Sequence, residues 1–138
     1  MIYTHHVRFH TRGDGEIVDL SRHVDEAIAG SEATAGIVTV CATGSTAAVT
    51  TLEYEPGLIK DVPELMDKLV PRTQRYHHDA TWGDANGYAH LRSALVGTSF
   101  VVSFSDRRLH LGTWQQVVFL DFDNRPRERT VVIQVMGE

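Results

Sequence analysis

A chain of 138 residues with one cysteine and a net charge of −5, histidines taken as neutral, excludes several classes at once. It has the length of one ordinary domain and, at 42% hydrophobic and 22% charged residues, the composition of a globular protein. Cys41 alone leaves no internal disulfide, the acidic balance argues against broad nucleic-acid binding, and no apolar run approaches the ~18 residues of a membrane helix. The first ten residues, MIYTHHVRFH, lack the apolar core of a signal peptide, so neither export nor membrane insertion is expected and a reducing cytoplasm is the simplest home.

Residues 2–11 are β-formers in rough alternation and predict a first strand, and Arg12-Gly13-Asp14-Gly15 turns the chain into a second over 16–20. Val24, Ala27 and Ile28 have helical spacing, which predicts a helix over 21–31 capped by Asp19 or Ser21. The run GIVTVC, 36–41, reads as a buried strand. A loop over 42–45 leads to another strand over 46–53, broken at Pro56-Gly57. Leu58, Val62, Leu65 and Leu69 form one stripe of a second helix that Pro71 closes. A third helix runs over 87–96, started by Asp84 or Asn86 and stopped by Gly97. The remainder is β-rich, with runs over 99–104, 108–122 and 129–135. No repeat or linker interrupts the chain, so residues 1–138 form a single domain. Hairpins dominate, which predicts an α+β fold with antiparallel sheets.

The densest chemistry lies in HHDATWGDANGYAH, residues 77–90. A loop there can fold His78 back onto His90 at the start of the third helix. Neutral imidazole ligates zinc and similar ions, and Asp84 between them can act as a third ligand or orient a ring. The spacing matches no strong zinc motif, and the plainer alternative is a hydrogen-bonded histidine under a loop, with Asp84 or Asn86 as a cap. In extended chain His77 and His78 point opposite ways, so one of the pair enters any one site. Trp82 either covers that site or buries its ring, core packing being the commoner role.

Thr43-Gly44-Ser45-Thr46 offers hydroxyls and backbone N–H groups for an anion, although such loops are usually turns. Gln115, in Gly112-Thr113-Trp114-Gln115-Gln116, can hydrogen-bond a ligand, with Trp114 in the core or in a subunit contact as the alternative. Arg125, Arg127 and Arg129 share a face in extended chain. Phosphate binding is possible there, but solvation or pairing with the carboxylates of a neighbour is the favoured reading. Glu53 and Glu55 follow a strand, and either can reach a site at its end. His5, His6, His10, His23 and His110 show no partner pattern and read as structural.

Taken together, His78 through Asp84 to Ala89-His90-Leu91, then Gly97-x-Ser99, Leu111-Gly112-Thr113-Trp114-Gln115 and the strand Arg129–Gly137 resemble the YjbQ-like family. Ser45-Thr46-Ala47, Glu53 and the helix around Asp61 fit the same pattern. The resemblance implies two packed β-sheets with flanking helices, assembled as a homotrimer. It also implies a secondary thiamine phosphate synthase activity, in which a pyrimidine methyl diphosphate is joined to a thiazole phosphate and pyrophosphate is released. By motif match the resemblance further implies a metal or active site at His78 and His90, with Asp84 beside them. One departure stands out: many members carry His-Thr-Thr-Ala where this chain reads Gly44-Ser45-Thr46-Ala47.

Two readings follow. In an enzyme, His78, His90 and Asp84 hold a divalent ion or act as acid and base, residues 43–46 bind phosphate and Gln115 orients substrate. The ion is zinc-like at the histidines, or magnesium arriving with the diphosphate, since magnesium prefers carboxylates and water. In a small trimeric metal- or anion-binding protein the same residues bind without turnover.

Overall fold

The computed structural model describes residues 1–138. Its longest strands, β1 (Ile2–Thr11) and β8 (Arg127–Gly137), pair antiparallel from Ile2 opposite Met136 to Thr11 opposite Arg127. The other edge of β8 takes β3 (Gly36–Ala42), which in turn pairs with β5 (Ser99–Ser105) and, beyond it, the two-residue β6 (Arg108–Leu109). A smaller sheet holds β2 (Glu16–Asp19), β7 (Gln116–Asp121) and β4 (Ala47–Leu52), with β7 central. Every pairing is antiparallel.

Patterning explains the layering. In β8 the residues Val131, Ile133 and Val135 are buried and alternate with more exposed neighbours, so the five-stranded sheet has one covered face. That face packs on Val49, Val117 and Phe119 of the small sheet and on α1 (Ser21–Ser31), which contributes Val24, Ala27 and Ile28. The small sheet is covered on its other face too. There Ala48, Val118 and Leu120 meet Met66 of α2 (Pro56–Leu69) and Tyr88 and Ala89 of α4 (Gly87–Val96). Burial on both faces is why Val117–Leu120 is an unbroken apolar run. The uncovered face of the large sheet carries Ile2, Met136, Ile37 and Val101, all exposed. No helix is long and apolar enough to cross a membrane.

Several expectations need correction. Helix α2 starts at Pro56, not after Gly57. Glu55 accepts hydrogen bonds from the Gly57 and Leu58 N–H groups, and proline occupies the first turn, where its missing N–H costs nothing. Its inward stripe is Ile59, Val62 and Met66, while Leu65 and Leu69 face outward. Both sets have helical spacing, and docking against the small sheet selects between them. The expected strand over 108–122 is broken, because its two ends belong to different sheets. Residues between them turn, with the Gln115 N–H donating to the Gly112 carbonyl and the Gly112 N–H to Gln115 Oε1, and Trp114 is 72% exposed rather than in the core. Asp19 does serve α1, accepting from the Ser21 N–H, although Leu20 holds the cap position.

Candidate functional site

Asp79 organises the histidine stretch. It opens the one-turn helix α3 (Asp79–Trp82), and its carboxylate accepts from the Tyr76 N–H at 3.0 Å and the Gly87 N–H at 3.0 Å. Those N–H bonds, first Tyr76 and then Gly87, hold the Asp79 carboxyl below its ordinary value. The first residue of α4 is thus capped from eight residues upstream, not by Asp84 or Asn86 as the sequence suggests; Asn86 makes no capping bond. The loop can lie this close only because residue 87 is glycine. A Cβ there would sit 2.8 Å from Tyr76 Cβ and 3.3 Å from His78 Cβ. The closure brings His78 against His90, ring centroids 4.3 Å apart and planes tilted by 44°. His77 is exposed and His78 half-buried. Trp82 is 78% exposed, so it does not bury its ring.

The two rings border a polar cleft of about 340 Å³ lined by Gly44, Ser45 and Thr46 on one side and by Trp82, Asp84 and Asn86 on another. Its base is a charge network that sequence reasoning did not assemble. Arg129 donates from Nε and Nη2 to the two oxygens of Asp121, each at 2.7 Å, and from Nη2 to Thr46 Oγ1 at 2.8 Å. Thr11 Oγ1 and the Asp123 N–H complete the shell of Asp121. Arg127 donates to Asp123, which also receives Thr46 Oγ1 and Asn86 Nδ2. Burial works against the charge on Asp123, but the Asn124 N–H, the Asn86 amide and Arg127 outweigh it and hold its carboxyl below the ordinary value. Arg127 and Arg129 therefore do pair with carboxylates, and do so at the cleft rather than on a solvated face.

The remaining candidates separate. Asp84 lines the cleft but is exposed, and its carbonyl accepts from Asn124 Nδ2. Thr43 lies outside it, its hydroxyl donating to the Thr130 carbonyl. Gln115 also lies outside. It donates to Thr51 Oγ1, and Thr51 is four residues along β4 from Ala47, which faces Asp121, a separation of roughly 13 Å. Glu55 is the cap of α2, and His110 sits between Ser103 and Ser105 hydroxyls, away from the cleft.

Burial first, and then the neighbouring His78, lowers the pKa of His90 below 6.5. The ring is therefore neutral at neutral pH. His78 Nδ1 and Asn86 Oδ1 are buried without a partner. Two imidazoles offer metal-donor nitrogens, yet no third His, Cys, Asp or Glu joins them, and the buried carboxylates are committed to arginines. The set falls short of the three protein ligands of a catalytic zinc site.

A depressed imidazole has a consequence for stability. The unfolded chain binds that proton more tightly than the folded one, so the contribution of His90 is complete above its unfolded value near 6.5 and is lost as pH falls through the folded value. Thermal midpoints measured from about pH 7.5 down to about pH 5 should decline, and His90→Gln should flatten that decline. Asp79 and Asp123, both lowered, lose their contributions only as pH falls from 3.8 downward, in a separate window.

A two-sheet α+β sandwich with a histidine- and arginine-lined cleft at one end is the architecture these elements define. The chain belongs to the UPF0047 YjbQ-like family, whose model matches residues 5–138. It is 40% identical to a UPF0047 protein of Archaeoglobus fulgidus over 121 residues, 88% of this chain and 91% of the relative. It is 32% identical to the UPF0047 protein YugU of Bacillus subtilis over 88% of this chain and 90% of that one. Among solved structures, a hypothetical protein from Aeropyrum pernix K1 superposes with a TM-score of 0.86 at 31% identity, covering 97% and 99% of the two chains. A YbjQ-like protein of Sulfolobus solfataricus P2 gives 0.89 at 24% identity over the whole of both, which shows the fold alone. None of these names assigns a reaction.

Proposed function

We propose that the cleft binds the phosphoryl groups of a small metabolite and that the protein is a slow thiamine phosphate synthase. The observation that carries this reading is the convergence of two arginines, the Ser45 and Thr46 hydroxyls and the His78–His90 pair on one cleft. The bond between the pyrimidine methylene carbon and the diphosphate oxygen breaks, and its electron pair leaves with pyrophosphate. The thiazole nitrogen lone pair forms the new C–N bond. Charge develops on the leaving oxygen, where fixed N–H and O–H donors stabilise it. Arg127, Arg129 and Ser45 serve as those donors, the Thr46 hydroxyl being given to Asp123, and a neutral imidazole supplies a further N–H at the edge of the cleft. The diphosphate offers more anionic oxygens to accept charge-assisted hydrogen bonds from these donors than the thiazole monophosphate and is the better-recognised substrate. Gln115 has no part in this within one protomer.

The experiment is purified protein with both substrates and magnesium, with thiamine phosphate read as its fluorescent oxidation product. Slow product formation is expected, unchanged in Lys68→Ala on the exposed side of α2. No product with any divalent metal would overturn the synthase reading.

A second reading is a trimeric metal- or anion-binding protein without turnover. The pair of adjacent imidazoles favours it, the missing metal donor coming from the ligand or another chain. The uncovered apolar face of the large sheet is the surface such a trimer would bury.

A further inference from the structure

We propose that Arg129 and the space left in front of it by Gly44 form an oxyanion subsite that holds one phosphoryl group without a metal ion. The inference rests on the phosphoryl-binding reading above and names the subsite within it.

Arg129 is only 8% exposed, yet one of its donors is free. Nε and Nη2 are taken up by Asp121 and Thr46, while Nη1 donates to no protein group. The position of residue 44 gives the direction of that donor. A Cβ built on Gly44 would lie 3.2 Å from Arg129 Nη1 and meet nothing else within 4 Å. Nη1 therefore faces the volume that a side chain at 44 would fill. The guanidinium cannot swing away, because the fully buried Asp121 grips it with both oxygens. Gly44 does not have the positive φ that demands glycine, so its backbone would accept other residues. What glycine supplies here is room.

The occupant of that room has to accept a hydrogen bond from a fixed cationic donor, and a phosphoryl oxygen does. Ser45 and Thr46 border the same cleft, and so does Arg127, whose Nε and Nη2 are engaged by Asp123. Two guanidinium charges are matched by two buried carboxylates, Asp121 and Asp123, so net charge contributes little. Selection comes from the direction of the donors, which places the anion on the Nη1 side, away from Asp121. The unpartnered acceptor Asn86 Oδ1 suits an O–H or N–H of the same ligand, not the anion itself.

The test is calorimetric titration with inorganic pyrophosphate in the presence of a chelator, run beside the turnover assay. The parent should bind. Gly44→Ala should weaken binding about threefold and Gly44→Leu at least about tenfold, the size of effect that follows from blocking one charge-assisted hydrogen bond. Arg129→Lys, which keeps the charge and loses the fork, should weaken it about tenfold as well. If Arg129→Lys fails to fold, the Gly44 variants decide, since they remove no member of an ion pair and leave Nε and Nη2 of Arg129 on Asp121. Unchanged affinity in Gly44→Leu, or binding that the chelator abolishes, overturns the subsite. Turnover by the parent together with an insensitive Gly44→Leu would sink the subsite and leave the synthase reading standing. Gly44-sensitive binding without turnover would do the reverse.

Discussion

Asp121→Ala should lower the thermal midpoint by roughly 10–15 °C, the shift expected for a loss of about 3–5 kcal/mol in a domain of this size. Asp121 has no exposed surface and receives both Arg129 donors, the Thr11 hydroxyl and the Asp123 N–H. Removing the carboxylate leaves a guanidinium in the interior with no counter-charge, and that desolvated cation is the source of the loss. The converse variant isolates the cause. Replacing Asp121 and Arg129 together by leucine and methionine should recover most of the midpoint, because no unpaired charge remains. A double variant as unstable as Asp121→Ala would locate the loss in packing instead. Calorimetry or circular dichroism on the three proteins reads the difference directly.

Product formation should fall at least about 100-fold in His78→Ala/His90→Ala, the scale of general acid–base and hydrogen-bonding groups acting at the reacting centre. The thermal midpoint should move by only a few degrees, since both rings are only partly buried and neither belongs to a core cluster. The loop that presents His78 is held independently by Asp79 and by the close approach at Gly87, so the cleft survives the double change. Activity that persists in the double variant would belong to a contaminating enzyme. Loss of activity together with loss of cooperative unfolding would assign the histidines to the fold.

Local signals in the sequence carried the elements whose burial is one-sided. β1, β3, β8 and α1 alternate or repeat in register with one covered face, and their bounds agree with the periodicity to within a residue or two. Signals failed where a choice between two faces is made by a distant partner. The inward stripe of α2 is such a case, and so is Trp114, whose apolar surroundings in sequence belong to a turn that carries the chain from one sheet to the other. The histidine pair was legible because both rings lie in one stretch. The network beneath it was not, because Thr11, Thr46, Asp121 and Arg129 are spread over the whole chain. One trace was present: Asp121-x-Asp123 ending an apolar run, with Arg127-x-Arg129 opening the next, puts two carboxylates and two arginines at neighbouring strand ends. Charges set inside so apolar a context point to pairing in the interior.

The place of β8 in the large sheet also bears on how the chain matures as it leaves the ribosome. Every other strand is synthesised earlier, yet β8 lies between β1 and β3 and supplies the hydrogen-bond partners of both. Until it emerges, β1 has no neighbour and β3 keeps an open edge, the kind of surface that pairs with other chains. The small sheet has no such wait, since β2, β4 and β7 are all made before residue 122. Arg127 and Arg129 travel on that same late strand. A nascent chain therefore holds its histidine pair and two buried aspartates ahead of the arginines that neutralise them, and the insertion of one strand joins the halves of the fold and brings the guanidinium donors into the cleft.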